Sequence, residues 1–157
     1  MKSEKWKLVK SIAIPLAVGG LASFLSGGGM ETFAAVNKPP LSPPGWLFPV
    51  VWTILYILMG VSSYLVSVSD GNPQEREKAL ALYGYQLVVN FLWPIFFFDF
   101  QWYLFSFFWL LLLWVLVFLM IRSFAKVSKT AAYLNIPYLL WLTFAGYLNL
   151  GIWWLNR

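Results

Sequence analysis

Three apolar stretches of the sequence carry aromatic and amide side chains at helical spacing. Within each stretch these side chains recur every three or four residues, which places them on one face of a helix. The three sets are Trp52 with Tyr56, Gln86 with Asn90 and Trp93, and Trp141 with Ala145 and Asn149, close to which Tyr138 lies. Polar side chains are costly inside a bilayer, so their default interpretation is functional. Aromatic faces together with amides suit the binding of a flat, apolar, conjugated ligand.

Each of these residue types also has a purely structural interpretation. Asn90 and Asn149 would equally serve to hydrogen-bond one membrane helix to another. Ala145 leaves room for a ring, although close helix packing needs a small residue as well. Tryptophans at the ends of membrane spans are typical of an interfacial belt, to which we assign Trp46, Trp102, Trp153 and Trp154. The tryptophans of the three sets lie deeper in their spans, and we assign them to a pocket. The eight residues assigned to ligand binding there are Trp52, Tyr56, Asn90, Trp93, Tyr138, Trp141, Ala145 and Asn149.

The composition excludes most conventional catalytic sites. The chain has no histidine and no cysteine, which removes the usual zinc ligands, the Ser/His/Asp triad and the commonest axial ligands of haem. All six carboxylates lie outside the apolar stretches or at their ends, so acid–base catalysis by paired carboxylates has no candidate. We therefore expect no metal site and no required cofactor.

The elements that must position these residues are transmembrane helices. Hydrophobic residues form 61% of the 157-residue chain and charged residues 11%, far from the balance of soluble domains. A span needs roughly 20 apolar residues, and five continuous stretches qualify, at about 8–26, 46–67, 79–98, 102–121 and 133–155. The sequence thus predicts an all-α membrane protein, a bundle of five transmembrane helices in a single domain, 1–157.

The distribution of basic residues predicts the orientation of the bundle. Five spans place nine of the 11 bases on the side of the N-terminus and only Lys38 and Arg157 on the other. The positive-inside rule then places the N-terminus in the cytoplasm and the first loop outside. We expect the membrane to be the cell membrane. This topology also accounts for the net charge of +5 without any nucleic-acid partner. We expect the first apolar run to be a retained helix, because no signal-peptide cleavage motif follows it.

The longest connection, 27–44, lies on the opposite side and is expected to cover the pocket. Its prolines fix φ and prevent regular helix. The residues assigned to this lid are Lys38, Pro39, Pro43 and Pro44.

Three blocks of the sequence resemble the TspO/MBR family of tryptophan-rich sensory and translocator proteins. They read PPGWLFPVVWTILY over 43–56, YGYQLVVNFLWP over 83–94 and PYLLWLTFAGYLN over 137–149. The resemblance covers nearly the whole chain. It implies a five-helix bundle, usually a homodimer, that binds porphyrins. It also implies a pocket capped by the first loop and formed by Trp52, Asn90, Trp93, Trp141, Ala145 and Asn149.

The resemblance further implies a bacterial-type member of the family. Such members are linked to tetrapyrrole-dependent regulation and stress, and some to light-dependent porphyrin breakdown. Animal members also bind cholesterol, through an apolar residue, a tyrosine and then a basic residue. Tyr147 is followed by no basic residue within five positions, so a sterol role is not expected.

The leading functional hypothesis is a tetrapyrrole-binding membrane protein. Trp52 and Trp141 would stack on the macrocycle, the two asparagines would orient it, and Lys38 would meet a propionate. Without histidine or cysteine, the pocket should favour metal-free porphyrin over haem. One alternative is an enzyme that degrades bound porphyrin under light, with Trp52 and Trp141 as the catalytic residues. Another is a carrier of porphyrin or lipid, against which stand the absence of an internal repeat and of a charge inside the spans.

Overall fold

The computed structural model describes residues 2–26 and 29–157, and these form helices joined by short connections. The elements are α1 (Lys2–Leu25), α2 (Gly29–Ala35), α3 (Leu47–Ser67), α4 (Pro73–Pro94), a π-helical turn (Ile95–Asp99), α5 (Tyr103–Ala125), α6 (Lys129–Leu134) and α7 (Ile136–Asn156). Five helical segments are long and apolar enough to cross a membrane, as the sequence predicted. The protein is a multi-pass membrane protein with an all-α fold.

The ends of several spans differ from the predicted limits. Helix α1 begins at Lys2, so its basic residues extend the apolar helix. Helix α4 begins at Pro73, where Asn72 accepts hydrogen bonds from the backbone N–H groups of Gln74 and Glu75 at 2.8 and 3.4 Å. Capping by asparagine followed by proline at the first helical position explains this early start. Both spans are therefore longer than their apolar stretches.

Two spans are interrupted where proline disturbs the backbone. Helix α4 passes into the π-helical turn immediately after Pro94. The fifth span is divided at Asn135, before Pro137, into α6 and α7. The Nδ2 of the fully buried Asn135 donates to the hydroxyl of Ser62 at 2.6 Å and to the carbonyl of Ala131 at 3.0 Å, which satisfies this carbonyl at the break.

The first connection is more regular than the sequence predicted. Its described part contains the seven-residue helix α2, where the prolines had predicted only an irregular loop. Gly27 and Gly28, the first two residues of the predicted connection, lie outside the described residues. The membrane face that carries this connection is called the loop side below, and the face that carries the N-terminus is the opposite one.

The helices pack around a core that runs along the bundle. Helix α3 packs against α1, α4 and α6, and α5 packs against α4, α6 and α7. Helix α5 buries Leu110, Leu113, Val117 and Met120 on one side, while large apolar side chains remain exposed on the other. This exposed side is available to lipid or to a partner subunit.

Candidate functional site

A cavity of about 400 Å³ lies in the loop-side half of the bundle. Its volume falls within the range of roughly 300–1,000 Å³ that is typical of small-molecule sites. Helices α1, α3, α4, α5 and α7 contribute walls, and Phe33 of α2 covers its loop-side end. Charged side chains are absent from the lining residues. The cavity therefore suits an apolar ligand.

Two indole rings form adjoining parts of the wall. Trp52 of α3 and Trp141 of α7 have ring centroids 6.5 Å apart and planes at 90°. The Phe48 ring packs edge-on against Trp141 with the ring centroids 5.7 Å apart, and Trp93 of α4 stacks on Phe97 with the centroids 4.9 Å apart. Because the rings are held by other aromatic rings, they present fixed apolar faces to the cavity.

The membrane-core end of the cavity is closed by a chain of buried hydrogen bonds. The Tyr56 hydroxyl donates to Asn90 Oδ1 at 2.8 Å, and Asn90 Nδ2 donates to the Tyr138 hydroxyl at 2.6 Å. The Tyr138 hydroxyl in turn donates to Gln86 Oε1 at 2.7 Å. These bonds join α3, α4 and α7 and fix their relative register. A hydrogen-bonded chain in a dry interior is costly to interrupt.

Asn149 joins three elements in the same way. It accepts a hydrogen bond from Trp93 Nε1 at 3.0 Å and donates one to the backbone carbonyl of Tyr103 at 2.7 Å. Both asparagines of the site thus make the helix-to-helix bonds that the structural interpretation of the sequence allowed. Trp141 differs, since its Nε1 is buried and has no partner among the described residues.

The structure brings together seven of the eight residues assigned to the pocket. These seven line the cavity: Trp52, Tyr56, Asn90, Trp93, Trp141, Ala145 and Asn149. Tyr138 is the exception, because it is 1% exposed and lies behind Asn90 rather than in the wall. Its role is to hold Asn90 in place.

The four loop residues assigned to the lid do not line the cavity. The Lys38 ammonium donates to the carbonyls of Phe33, Ala34 and Val36 at 3.0, 3.4 and 3.0 Å. It therefore neutralises the carbonyl end of α2, where a cation is favoured, and does not point a charge into the cavity. Phe33 covers the cavity instead, packed with Phe97 and Ile152.

The connection after α2 is bonded to the loop-side end of α7. The Asn37 N–H donates to Asn156 Oδ1 at 3.0 Å, and Asn156 Nδ2 donates to the Asn37 carbonyl at 2.8 Å. The Tyr147 hydroxyl donates to the Pro40 carbonyl at 2.6 Å. Gly151 lies directly against the Pro39 ring, with no room for a side chain between them. These contacts hold Phe33 over the cavity.

Sequence reasoning missed the contribution of the first span. Helix α1 supplies a wall of small residues, among them Gly19, Gly20, Ala22 and Ser23. Phe33 and Phe48 were also missed. The one signal for the α1 wall is its run of small residues within an otherwise apolar span, which indicates that another group approaches its backbone.

The lining residues offer little for metal or acid–base chemistry. Among the described residues, no cluster of three or more histidine, cysteine or acidic side chains could hold a metal ion. The groups that remain are indole rings, hydroxyls and paired amides, and these bind and orient rather than transfer protons.

Comparison with known proteins gives a consistent picture. The family model described as the TspO/MBR family matches residues 11–155. A protein named Tryptophan-rich protein TspO from Chlorobaculum tepidum is 38% identical over 157 residues, with 99% of each chain covered. Its namesake from Archaeoglobus fulgidus is 40% identical, with 96% of this chain and 97% of the relative covered. The human protein named Translocator protein is 37% identical, with 83% and 78% covered.

Proposed function

This chain belongs to the TspO/MBR family, and we propose that it is a membrane receptor that binds a tetrapyrrole in the aromatic cavity. The observation that carries this proposal is an uncharged cavity of about 400 Å³ whose wall includes the perpendicular rings of Trp52 and Trp141. One indole would stack on the macrocycle while the other meets its edge. Each such aromatic pair contributes about 0.5–1.5 kcal/mol beyond the burial of surface.

Orientation of the ligand falls to Trp141 rather than to the asparagines. The amides of Asn90 and Asn149 already bond to neighbouring helices. The Trp141 N–H is a buried donor without a partner in the part of the chain that the structure describes, and an unpaired buried donor costs roughly 1–3 kcal/mol. A ligand acceptor, such as a pyrrole-type nitrogen or a carbonyl, would relieve this cost after a small shift of the ring.

We further place the protein in the cell membrane as a homodimer, with its N-terminus in the cytoplasm. The orientation follows from the excess of basic residues on the N-terminal side. The exposed side of α5 carries Phe108, Leu111, Leu112 and Val115, a continuous apolar strip available to a second copy.

The decisive experiment is a titration of the purified protein with protoporphyrin in the dark, followed by absorbance and fluorescence. Saturable binding at one site per chain is expected. Trp52→Leu and Trp141→Leu should each weaken binding about threefold to tenfold through loss of ring contact. Trp6→Leu is the control, because this exposed tryptophan lies near the N-terminus, far from the cavity. Absence of saturable binding would disprove the proposal.

Light-dependent degradation of the bound porphyrin is the second candidate function. The specific observation in its favour is that Trp52 contacts three readily oxidised rings, Tyr56, Tyr138 and Trp141, at centroid distances of 5.5, 6.1 and 6.5 Å. Illumination of the complex in air should bleach the porphyrin faster than in free solution. Replacing both tryptophans by phenylalanine should retain binding and slow the bleaching. An unchanged bleaching rate would show that the protein is a receptor without this activity.

A further inference from the structure

Helices α1 and α3 are in close contact through two glycines. A Cβ at Gly60 of α3 would collide with the backbone of Ile12 in α1, and a Cβ at Gly19 of α1 would collide with the ring of Tyr56. Close approach of this kind is the usual role of glycine between membrane helices. At these two positions the helices leave no room for a ligand between them.

On the loop side of this contact the two helices separate. The cavity-lining residues that are also exposed are Gly20 and Ser23 of α1 with Pro49 and Thr53 of α3. A Cβ at Gly20 would have no neighbour within 4 Å among residues 2–26 and 29–157, so open space lies in front of it. We call the gap between these four residues the lateral opening.

The lateral opening faces hydrocarbon. The large side chains beside it on both helices are apolar and exposed, among them Leu21, Phe24, Val50 and Ile54. Gly20 lies five residues from the end of α1 and Thr53 six residues from the start of α3. At a rise of about 1.5 Å per residue, these positions are roughly 8–9 Å inside the helix ends.

The end of the cavity under the first connection is covered, in contrast. Phe33 is buried there against Phe48 and Phe97. The connection is held to α7 by the paired hydrogen bonds between Asn37 and Asn156. Passage from water on this side would require both the aromatic packing and these bonds to break.

We infer that the ligand enters and leaves the cavity sideways, from the loop-side leaflet of the bilayer, through the lateral opening between α1 and α3. This inference rests on the proposed tetrapyrrole-binding function, and it names the route by which that site is filled. A flat lipophilic ring partitions into the bilayer first and then passes between Gly20 and Thr53 on its edge. The small residues of α1 keep the path clear.

Stopped-flow binding of protoporphyrin to the full chain in lipid vesicles tests the route. Gly20→Phe places a bulky ring in the lateral opening without a clash with the backbone. Gly84→Phe is the matched control, because Gly84 is also an exposed helical glycine with open space in front of it, but it does not line the cavity. We expect Gly20→Phe to lower the association and dissociation rates together by about tenfold, and Gly84→Phe to change neither.

Asn156→Ala provides the opposing measurement, since it removes the hydrogen bonds that hold the connection to α7. We expect both rates to stay within twofold of those of the original chain. Rates for Gly20→Phe equal to those of Gly84→Phe, or faster exchange in Asn156→Ala, would overturn the lateral route in favour of entry under the connection. Equilibrium binding by the unaltered chain tests the proposed function separately, so the two failures are distinguishable.

Discussion

Asn156 and Asn37 are joined by two hydrogen bonds, 3.0 and 2.8 Å long, although 119 residues separate them in the sequence. The side-chain amide of Asn156 pairs with both the backbone N–H and the backbone carbonyl of Asn37. The helix α7 thereby determines where the connection after α2 lies. This pairing leads to the first prediction.

Asn156→Ala should loosen the connection without unfolding the bundle. Each lost hydrogen bond has a net contribution of about 0.5–1.5 kcal/mol, so amide exchange at Asn37 should accelerate by roughly tenfold. Hydrogen–deuterium exchange with mass spectrometry measures this on the peptide that contains Asn37. Arg157→Ala is the control, because the Arg157 side chain donates to the carbonyl of Trp154 within α7. Equal exchange in the two variants would show that the pairing does not hold the connection.

Tyr138→Phe should destabilise the bundle more than a surface change of the same kind. It leaves Asn90 Nδ2 and Gln86 Oε1 without the hydroxyl that both contact. Unpaired buried polar groups cost roughly 1–3 kcal/mol each, which should lower the midpoint of thermal unfolding in detergent by several degrees. Tyr133→Phe is the control at an exposed tyrosine. A shift no larger than that of the control would mean that the chain of bonds is not stabilising.

The helical period predicted which residues share the site but not how they are bonded. Trp52, Asn90 and Trp141 could be assigned to a common cavity because a period of 3.6 fixes the face on which each side chain lies. The period does not say which helix covers that face. Tyr138 was therefore placed in the wall, whereas its hydroxyl accepts a hydrogen bond from Asn90 Nδ2 and the ring lies behind Asn90.

Some features depend on contacts between neighbouring elements, and for that reason they could not be predicted from the sequence. The wall supplied by α1 follows from the close approach at Gly19 and Gly60, which is a relationship between two helices. Helix α2 is seven residues long, too short for a hydropathy window, and the prolines after it predicted irregular structure. Lys38 was assigned to contact with a ligand propionate. Its three carbonyl partners could not be predicted, because they come together only when α2 has formed.

Gly19→Ala should impair ligand binding through Tyr56. The added methyl group would occupy the space of the Tyr56 ring, which must then move and lose its hydrogen bond to Asn90. Overpacking of this kind costs roughly 1–3 kcal/mol, so the affinity for protoporphyrin should fall at least fivefold in a fluorescence titration. Gly84→Ala, which meets open space, should bind as the original chain does. Unchanged affinity in Gly19→Ala would show that the position of the Tyr56 ring does not affect ligand binding.

Metal-free protoporphyrin should bind at least as tightly as its iron complex. The cavity is lined by neither histidine nor cysteine, and the hydroxyl of Tyr56 is already donated to Asn90. The iron would therefore gain no strong axial ligand, and its polar, coordinating centre would meet apolar walls. Parallel titrations with the two porphyrins measure the affinities, and the visible spectrum of the iron complex reports its axial ligation. Tighter binding of the iron complex with the spectrum of a protein-ligated haem would contradict a cavity that recognises the ring alone.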